Sequence, residues 1–277
     1  MTEVTMLDVH GARIAASTFG SPADPAVLLI MGGGASMDWW EPEFCDSLAA
    51  AGRFVIRYDH RDTGESVSYP PGRPGYTSDE LSADPVGVLD ALGVERAHVV
   101  GLSMGGAIAQ LLAIGSPARL RTLTLISTSG GAGDEDLPMG DVESVEEPDW
   151  SDRSAVVEYL VASQRLAAAR SRPFDEAAVR VVATLATSRT ASPESAEKNH
   201  YATDGGSGSW RSKLADITVP TLVLHGTEDP MFPLAHGEAL AREIPNARLV
   251  ALPNTGHEFP RENWPLVLRE LIGHTDR

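Results

Sequence analysis

Residues 97–113 read AHVVGLSMGGAIAQLLA, and the fold turns on how this stretch changes its period. Ala97, Val99 and Val100 are the small and β-branched residues of a buried strand, whereas Ala107, Ile108, Ala109, Leu111 and Leu112 suit a helix packed on a sheet. The turn between them is short and has Ser103 at its middle. A turn that tight forces its central residue into an unfavourable backbone conformation, and glycines at 101 and 105 let the chain segments pass without a clash. The Ser103 hydroxyl is then expected above the sheet edge at the start of a helix, as in a G-x-S-x-G nucleophile elbow. The same residues also fit an ordinary strand-to-helix turn in which the serine is only an N-cap. A base and an acid elsewhere in the chain decide between the two.

Outward from this stretch, residues 6–19 alternate loosely around His10-Gly11 and read as an opening hairpin. PAVLLIMGGG (25–34) is a continuous apolar run ending in glycines, the pattern of a strand buried on both faces. RFVIRYD (53–59), LRTLTLIST (120–128), VPTLVLHG (219–226) and ARLVALP (247–253) read as further strands, which brings the expected total to eight. Helices are expected at 44–51, 84–94, 235–244 and near 265–272. Such alternation implies a mostly parallel α/β sheet flanked by helices on both faces. Between 130 and 211 it breaks: helix-like pieces at 153–170 and 174–188 are followed by a Gly/Ser patch at 205–209. The expected organisation is a core of residues 1–129 and 214–277, with a helical cap, 130–213, inserted between two strands.

Composition narrows the function. A chain of 277 residues, 42% apolar, can bury a sizeable core. Its net charge of −17 opposes binding to nucleic acid or an anionic membrane, because a polyanion is repelled. Cys45 is the single cysteine and reads as a packed helix residue; no Cys/His group has zinc spacing. Acids crowd 134–149, but not at EF-hand spacing, so they read as a solvated entrance to the cap rather than a calcium site. Neither a metal nor an organic cofactor is expected. The first residues carry acids where a secretory signal needs an apolar core, and no apolar run approaches the roughly 20 residues that span a bilayer. A cytoplasmic protein, monomer or homodimer, is expected.

A serine hydroxyl is a poor nucleophile at neutral pH, so it needs a base, and histidine has the suitable pKa. Among the eight histidines, His257 in LPNTGHEF lies directly after a strand, with Gly256 before it. His10, His200 and His274 read as peripheral or polar, His98 and His225 as strand residues, and His236 as the start of a helix. The imidazole needs a carboxylate to fix its tautomer, and HGTEDP (225–230) offers Asp229, with Glu228 as the fallback. The order Ser, acid, His is the one elbow hydrolases use. Two N–H donors are needed for the oxyanion of the tetrahedral intermediate, and Met104 and Gly33 are the expected pair. RYDHRDTGES (57–66) also holds Asp59, His60 and Asp62, but neighbours in a loop seldom point at a common centre, so it reads as a hydrogen-bonded structural turn.

GLSMGG, MGGG, RYDHRDTGES, PTLVLHGTEDP and NTGH together resemble the α/β-hydrolase superfamily, and RYDHRDTG with AHVVGLSMG is similar to the aclacinomycin methylesterase type of polyketide-tailoring esterase. The likeness covers roughly 4–129 and 214–275. It implies Ser103 as nucleophile, Asp229 as acid, His257 as base, and Gly33 and Met104 as oxyanion donors. The chain departs from the pattern at Glu65, where related esterases commonly carry Arg, and through 130–211. The expected pocket draws on Gly34, Met37, Trp39 and Trp40 after the third strand, Met231 and Phe232 after the acid, and Phe259 after the base. From the cap it takes Trp150, Tyr159, Tyr201 and Trp210. Its substrate is expected to be a small apolar or aromatic carboxylic ester, such as a methyl ester. Lactone opening, carbon–carbon bond hydrolysis and perhydrolase chemistry need the same site, and a ligand-binding protein on a hydrolase scaffold needs no triad.

Overall fold

The computed structural model describes residues 3–131, 137, 139–203 and 209–276. The opening hairpin is strand β1 (Thr5–Val9) and strand β2 (Ala12–Phe19), turned by His10 and Gly11, both at positive φ. Then come β3 (Ala26–Ile30), helix α1 (Pro42–Ala50), β4 (Phe54–Tyr58), α2 (Ser78–Ala91), β5 (Ala97–Leu102), α3 (Met104–Gly115) and β6 (Leu120–Ile126). After an inserted segment follow β7 (Thr221–Gly226), α7 (Ala235–Glu243), β8 (Ala247–Leu252) and α8 (Trp264–Thr275). The eight strands form one sheet in the order β1-β2-β4-β3-β5-β6-β7-β8. β2 runs antiparallel to β1 and β4, and the remaining pairs are parallel, as the sequence pattern requires.

Every residue of β3, β4, β5 and β7 is buried, which explains their unbroken apolar runs. Leu28, Ile30, Ile56 and Val99 join the layer under α2 and α3, while Val27, Leu29, Val55 and Val100 face the layer with Phe44 of α1 and Leu271 of α8. Cys45 is buried in that second layer, where burial pushes its thiol up to about 12. Among the described residues no helix is long and apolar enough to cross a membrane.

The chain leaves β3 towards β4 on one side and returns to pair β5 with the other side of β3. That reversal opens a crevice beyond the carboxyl ends of β3 and β5, where ligands bind in open α/β sheets.

One helix departs from expectation. α2 starts at Ser78 rather than Asp84, with Thr77 and Glu80 forming a reciprocal capping box, and Pro85 lies inside it. The polar opening of the helix, Ser78 to Ala83, falls outside the stretch expected to be helical.

The segment between β6 and β7 carries α4 (Arg153–Ala167), α5 (Glu176–Arg189) and a third helix, α6 (Pro193–Asn199), which periodicity did not announce. Side chains of Asp152, Asp175 and Ser192 cap their N-termini. Of the acids at 134–149, Asp134, Glu135 and Asp136 lie outside the described residues, Asp141, Glu143 and Glu146 are exposed, Glu147 pairs with Lys198, and Asp149 accepts from Ser151. Most of the Gly/Ser patch, 205–208, also lies outside them.

The turn that follows β4 seats this segment. Arg189 binds Asp38 at 2.6 Å, Asp59 at 2.7 Å and Glu65 at 3.0 Å. Thr190 Oγ1 accepts from the Gly64 amide, Asn199 donates to Asp62, and Ser195 donates to the Tyr69 carbonyl. Asp59 also accepts from the amides of Met37 and Glu65, and burial raises its carboxyl to about 6 against the opposing pull of Arg189. Glu65 therefore faces an arginine from the inserted helices.

Candidate active site

Ser103 sits between β5 and α3 at φ 53°, ψ −119°. A non-glycine residue at positive φ is strained and persists only where its surroundings hold it. Here the Ser103 amide donates to Ile126 O at 3.0 Å, and its carbonyl accepts from Thr128 Oγ1 at 2.8 Å. A Cβ on Gly101 would overlap the Gly105 carbonyl, and one on Gly105 the Ile30 carbonyl. The two glycines thus allow the close crossing of β5, α3 and β3 that the motif demands.

His257 Nε2 accepts from the Ser103 hydroxyl at 2.9 Å, and His257 Nδ1 donates to Asp229 Oδ2 at 2.8 Å. The other oxygen of Asp229 accepts from the amides of Met231 and Phe232, both at 2.9 Å. Burial pushes the Asp229 carboxyl up, but the bond and charge of His257 together with the Phe232 amide outweigh it, leaving the pKa below the ordinary aspartate value. Glu228, the fallback acid, turns away and accepts from Ser171. His257 is itself tied down: its amide donates to the carbonyl of Ala167, the last residue of α4, at 2.7 Å. A Cβ on Gly256 would overlap that carbonyl, so Gly256 is required for this close approach rather than for a special φ.

The loop leaving β3 lies against the elbow. A Cβ on Gly32 would stand 3.4 Å from Ser103 Cβ, and one on Gly33 would stand 3.4 Å from Met104 Sδ. The amides of Gly33 and Met104 have no hydrogen-bond partner among the described residues. Gly34, at φ 73°, donates its amide to Nδ1 of His200 at 2.9 Å. His200 is thus not peripheral: it is buried beside this loop.

Above Ser103 and His257 opens a cavity of about 290 Å³, near the lower end of ordinary small-molecule pockets. Of the residues named from the sequence, Gly33, Gly34, Trp39, Trp150, Tyr201, Met231 and Phe259 line it. Met37, Trp40, Tyr159, Trp210 and Phe232 do not. Met37 and Trp40 turn into the core, where Trp40 stacks on Phe44 and meets Phe259 edge-on. Tyr159 lies behind Trp150 and donates its hydroxyl to Glu197. Trp210 donates to Gln110, and Phe232 packs on the rings of His236 and His257. Residues not foreseen fill the roof: Val156, Leu160 and Gln164 of α4, and Val179, Val182 and Ala186 of α5. Their spacing of three or four is a helical stripe, visible in the sequence but indistinguishable there from a core-facing one.

A family model described as the alpha/beta hydrolase fold matches residues 25–263. Rhodomycin D methylesterase DauP of Streptomyces sp. (strain C5) is 38% identical over 280 residues, spanning 92% of either chain, and DnrP of Streptomyces peucetius, with the same activity name, is 37% identical over the same shares. Among solved structures, a hydrolase from Pseudomonas aeruginosa PA01 aligns with TM-score 0.72 at 28% identity, covering 99% of this chain and 97% of the other.

Proposed function

We propose, from the premise that this chain belongs to the alpha/beta hydrolase fold family, that it is an ester hydrolase working through an acyl-enzyme on Ser103. The observation that carries this reading is the unbroken hydrogen-bonded line Ser103–His257–Asp229, with spacings of 2.9 and 2.8 Å. Ser103 Oγ attacks the ester carbonyl carbon while His257 Nε2 takes its proton, and the buried carboxylate of Asp229 stabilises the imidazolium that forms. Charge moves to the former carbonyl oxygen, which the free amides of Gly33 and Met104 receive. The tetrahedral intermediate collapses as His257 protonates the departing alkoxide. Water, deprotonated by the same imidazole, then releases the acid and restores Ser103.

The substrate we assign is a methyl ester on an apolar, polycyclic aromatic acid. Its support is the activity in the names of the Streptomyces relatives and the lining of Trp39, Trp150, Phe174, Tyr201 and Phe259. Residues 130–213 act as the cap that supplies most of this lining, over a core of 1–129 and 214–277. The location assigned is the cytoplasm.

The test is labelling and turnover. A fluorophosphonate should label the wild type and not Ser103→Ala, and Ser103→Ala or His257→Ala should lose on the order of 10⁴-fold or more in ester turnover with folding intact. A panel of aromatic methyl esters, lactones and vinylogous diketones reads the substrate class. Turnover surviving in Ser103→Ala sinks the mechanism; preference for a lactone or diketone sinks the assigned substrate alone.

A further inference from the structure

Three consecutive peptide groups carry the chain out of β3, and each is held by a different partner. The Met31 carbonyl accepts from His60 Nε2 at 2.9 Å. The Gly32 carbonyl accepts from the Ala35 amide at 3.4 Å. The Gly34 amide donates to His200 Nδ1 at 2.9 Å. The middle peptide carries the N–H of Gly33, which has no hydrogen-bond partner among the described residues.

His200 can do this in one protonation state only. Its Nε2 lies 2.8 Å from the Arg61 carbonyl, which can only accept, so the proton is on Nε2 and the lone pair on Nδ1 meets the Gly34 amide. A second proton would sit on Nδ1 and face that N–H. The surroundings oppose it: burial lowers the pKa of His200 against the Arg61 carbonyl and the charge of Asp62, while His60, edge-on to it at 5.5 Å, is pushed down to about 3. Three glycines in a row give the loop little stiffness of its own, so its shape depends on these outside bonds.

Resting on the ester-hydrolase reading above, we propose that His200, just past α6, is a positioning residue: as a neutral imidazole it holds the Gly33–Gly34 peptide and thereby aims the Gly33 N–H at the oxyanion. The segment that roofs the cavity thus also sets the electrostatics on its floor. His200 does not line the cavity, so its removal should act on the transition state and spare ground-state binding. Loss of an oxyanion donor costs about 10²–10³ in kcat, and a donor left in place but badly aimed should cost less, roughly 10–100-fold.

The experiment is steady-state hydrolysis of p-nitrophenyl acetate by the wild type, Ser103→Ala, His200→Phe and His200→Gln, with amide exchange at Gly34 measured alongside. His200→Phe should lower kcat roughly 10–100-fold with KM within about twofold, and should speed exchange at Gly34. His200→Gln, whose amide offers one acceptor and one donor, should recover most of the kcat and protect Gly34 again. If His200→Phe does not fold, His200→Ala with and without added imidazole reads the same quantity, imidazole being expected to restore turnover. Wild-type kcat in the Phe or Ala variant, with Ser103→Ala dead, overturns the positioning role and leaves the hydrolase intact. If the wild type shows no Ser103-dependent turnover, the hydrolase reading fails instead. Gly34 exchange then decides alone, and protection unchanged without the imidazole overturns the role.

Discussion

At the scale of single residues, Ser103 shows what the elbow costs and what offsets it. Positive φ on a non-glycine residue is worth about 1–3 kcal/mol of strain, and the bonds from its amide to Ile126 and from Thr128 to its carbonyl hold it there. The choice of acid is decided equally locally. Asp229 and Glu228 are adjacent, yet only Asp229 turns under the imidazole, collecting two backbone amides as it does. Asp229→Asn should therefore lower ester turnover by orders of magnitude, though less than loss of Ser103, while Glu228→Gln stays near wild type; the reverse pattern in kcat would show the assignment to be wrong. Ser103, Asp229 and His257 were legible because they follow strands, at the rim where strand ends meet. The aromatic residues were not legible in the same way. Trp39 and Trp40 are neighbours in one 3-10 turn, and one faces the cavity while the other packs on Phe44. Nothing in a chain of apolar letters distinguishes a wall from the fill behind it.

At the scale of elements, the turn after β4 and the end of α5 form one unit. The side chain of Arg189 is 13% exposed, and its guanidinium bridges Asp38 and the wholly buried Asp59. Removing one partner of such a buried set strands the others, so Arg189→Met should lower unfolding stability by about 3 kcal/mol in urea titrations at pH 8. It should also raise KM, since Val182 and Ala186 of the same helix line the cavity. Arg189 holds the Asp59 carboxyl down, so once the arginine is gone Asp59 takes its proton at higher pH, and the stability deficit should shrink as pH falls from 8 towards 6 and stay level below that. A variant as stable as the wild type at pH 8 would mean the contact is ornamental. The sequence marks this turn as structural through its density of Asp, Arg, Gly and Ser, but not what it supports, because the partners lie more than a hundred residues away. α6 escapes periodicity because seven residues hold too few turns, and the start of α2 because its first turn, with Asp79 and Glu80, is polar.

At the scale of the whole molecule, buried neutral imidazoles set the response to acid. Burial lowers the His60 pKa to about 3 and the His98 pKa to about 4, from about 6.5 when unfolded. The unfolded chain therefore binds more protons as pH falls below 6.5, and stability drops with it; Asp59, raised to about 6, opposes this in part by gaining its proton more readily when folded. Unfolding free energy should fall steadily from pH 6.5 to 4, and His60→Asn should flatten that slope by about 1.4 kcal/mol per pH unit, one proton's worth. Equal slopes in parallel denaturation series would place the acid lability elsewhere. The inserted helices reach the core partly through main-chain oxygens: Ala167 receives the His257 amide, and Arg61 and Tyr69 receive side chains of His200 and Ser195. Carbonyls look the same whatever letter bears them. Descendants of this chain can therefore exchange the roof's inward-facing letters for a differently shaped guest while the base keeps its moorings, so new tastes can evolve without dismantling the chemistry beneath.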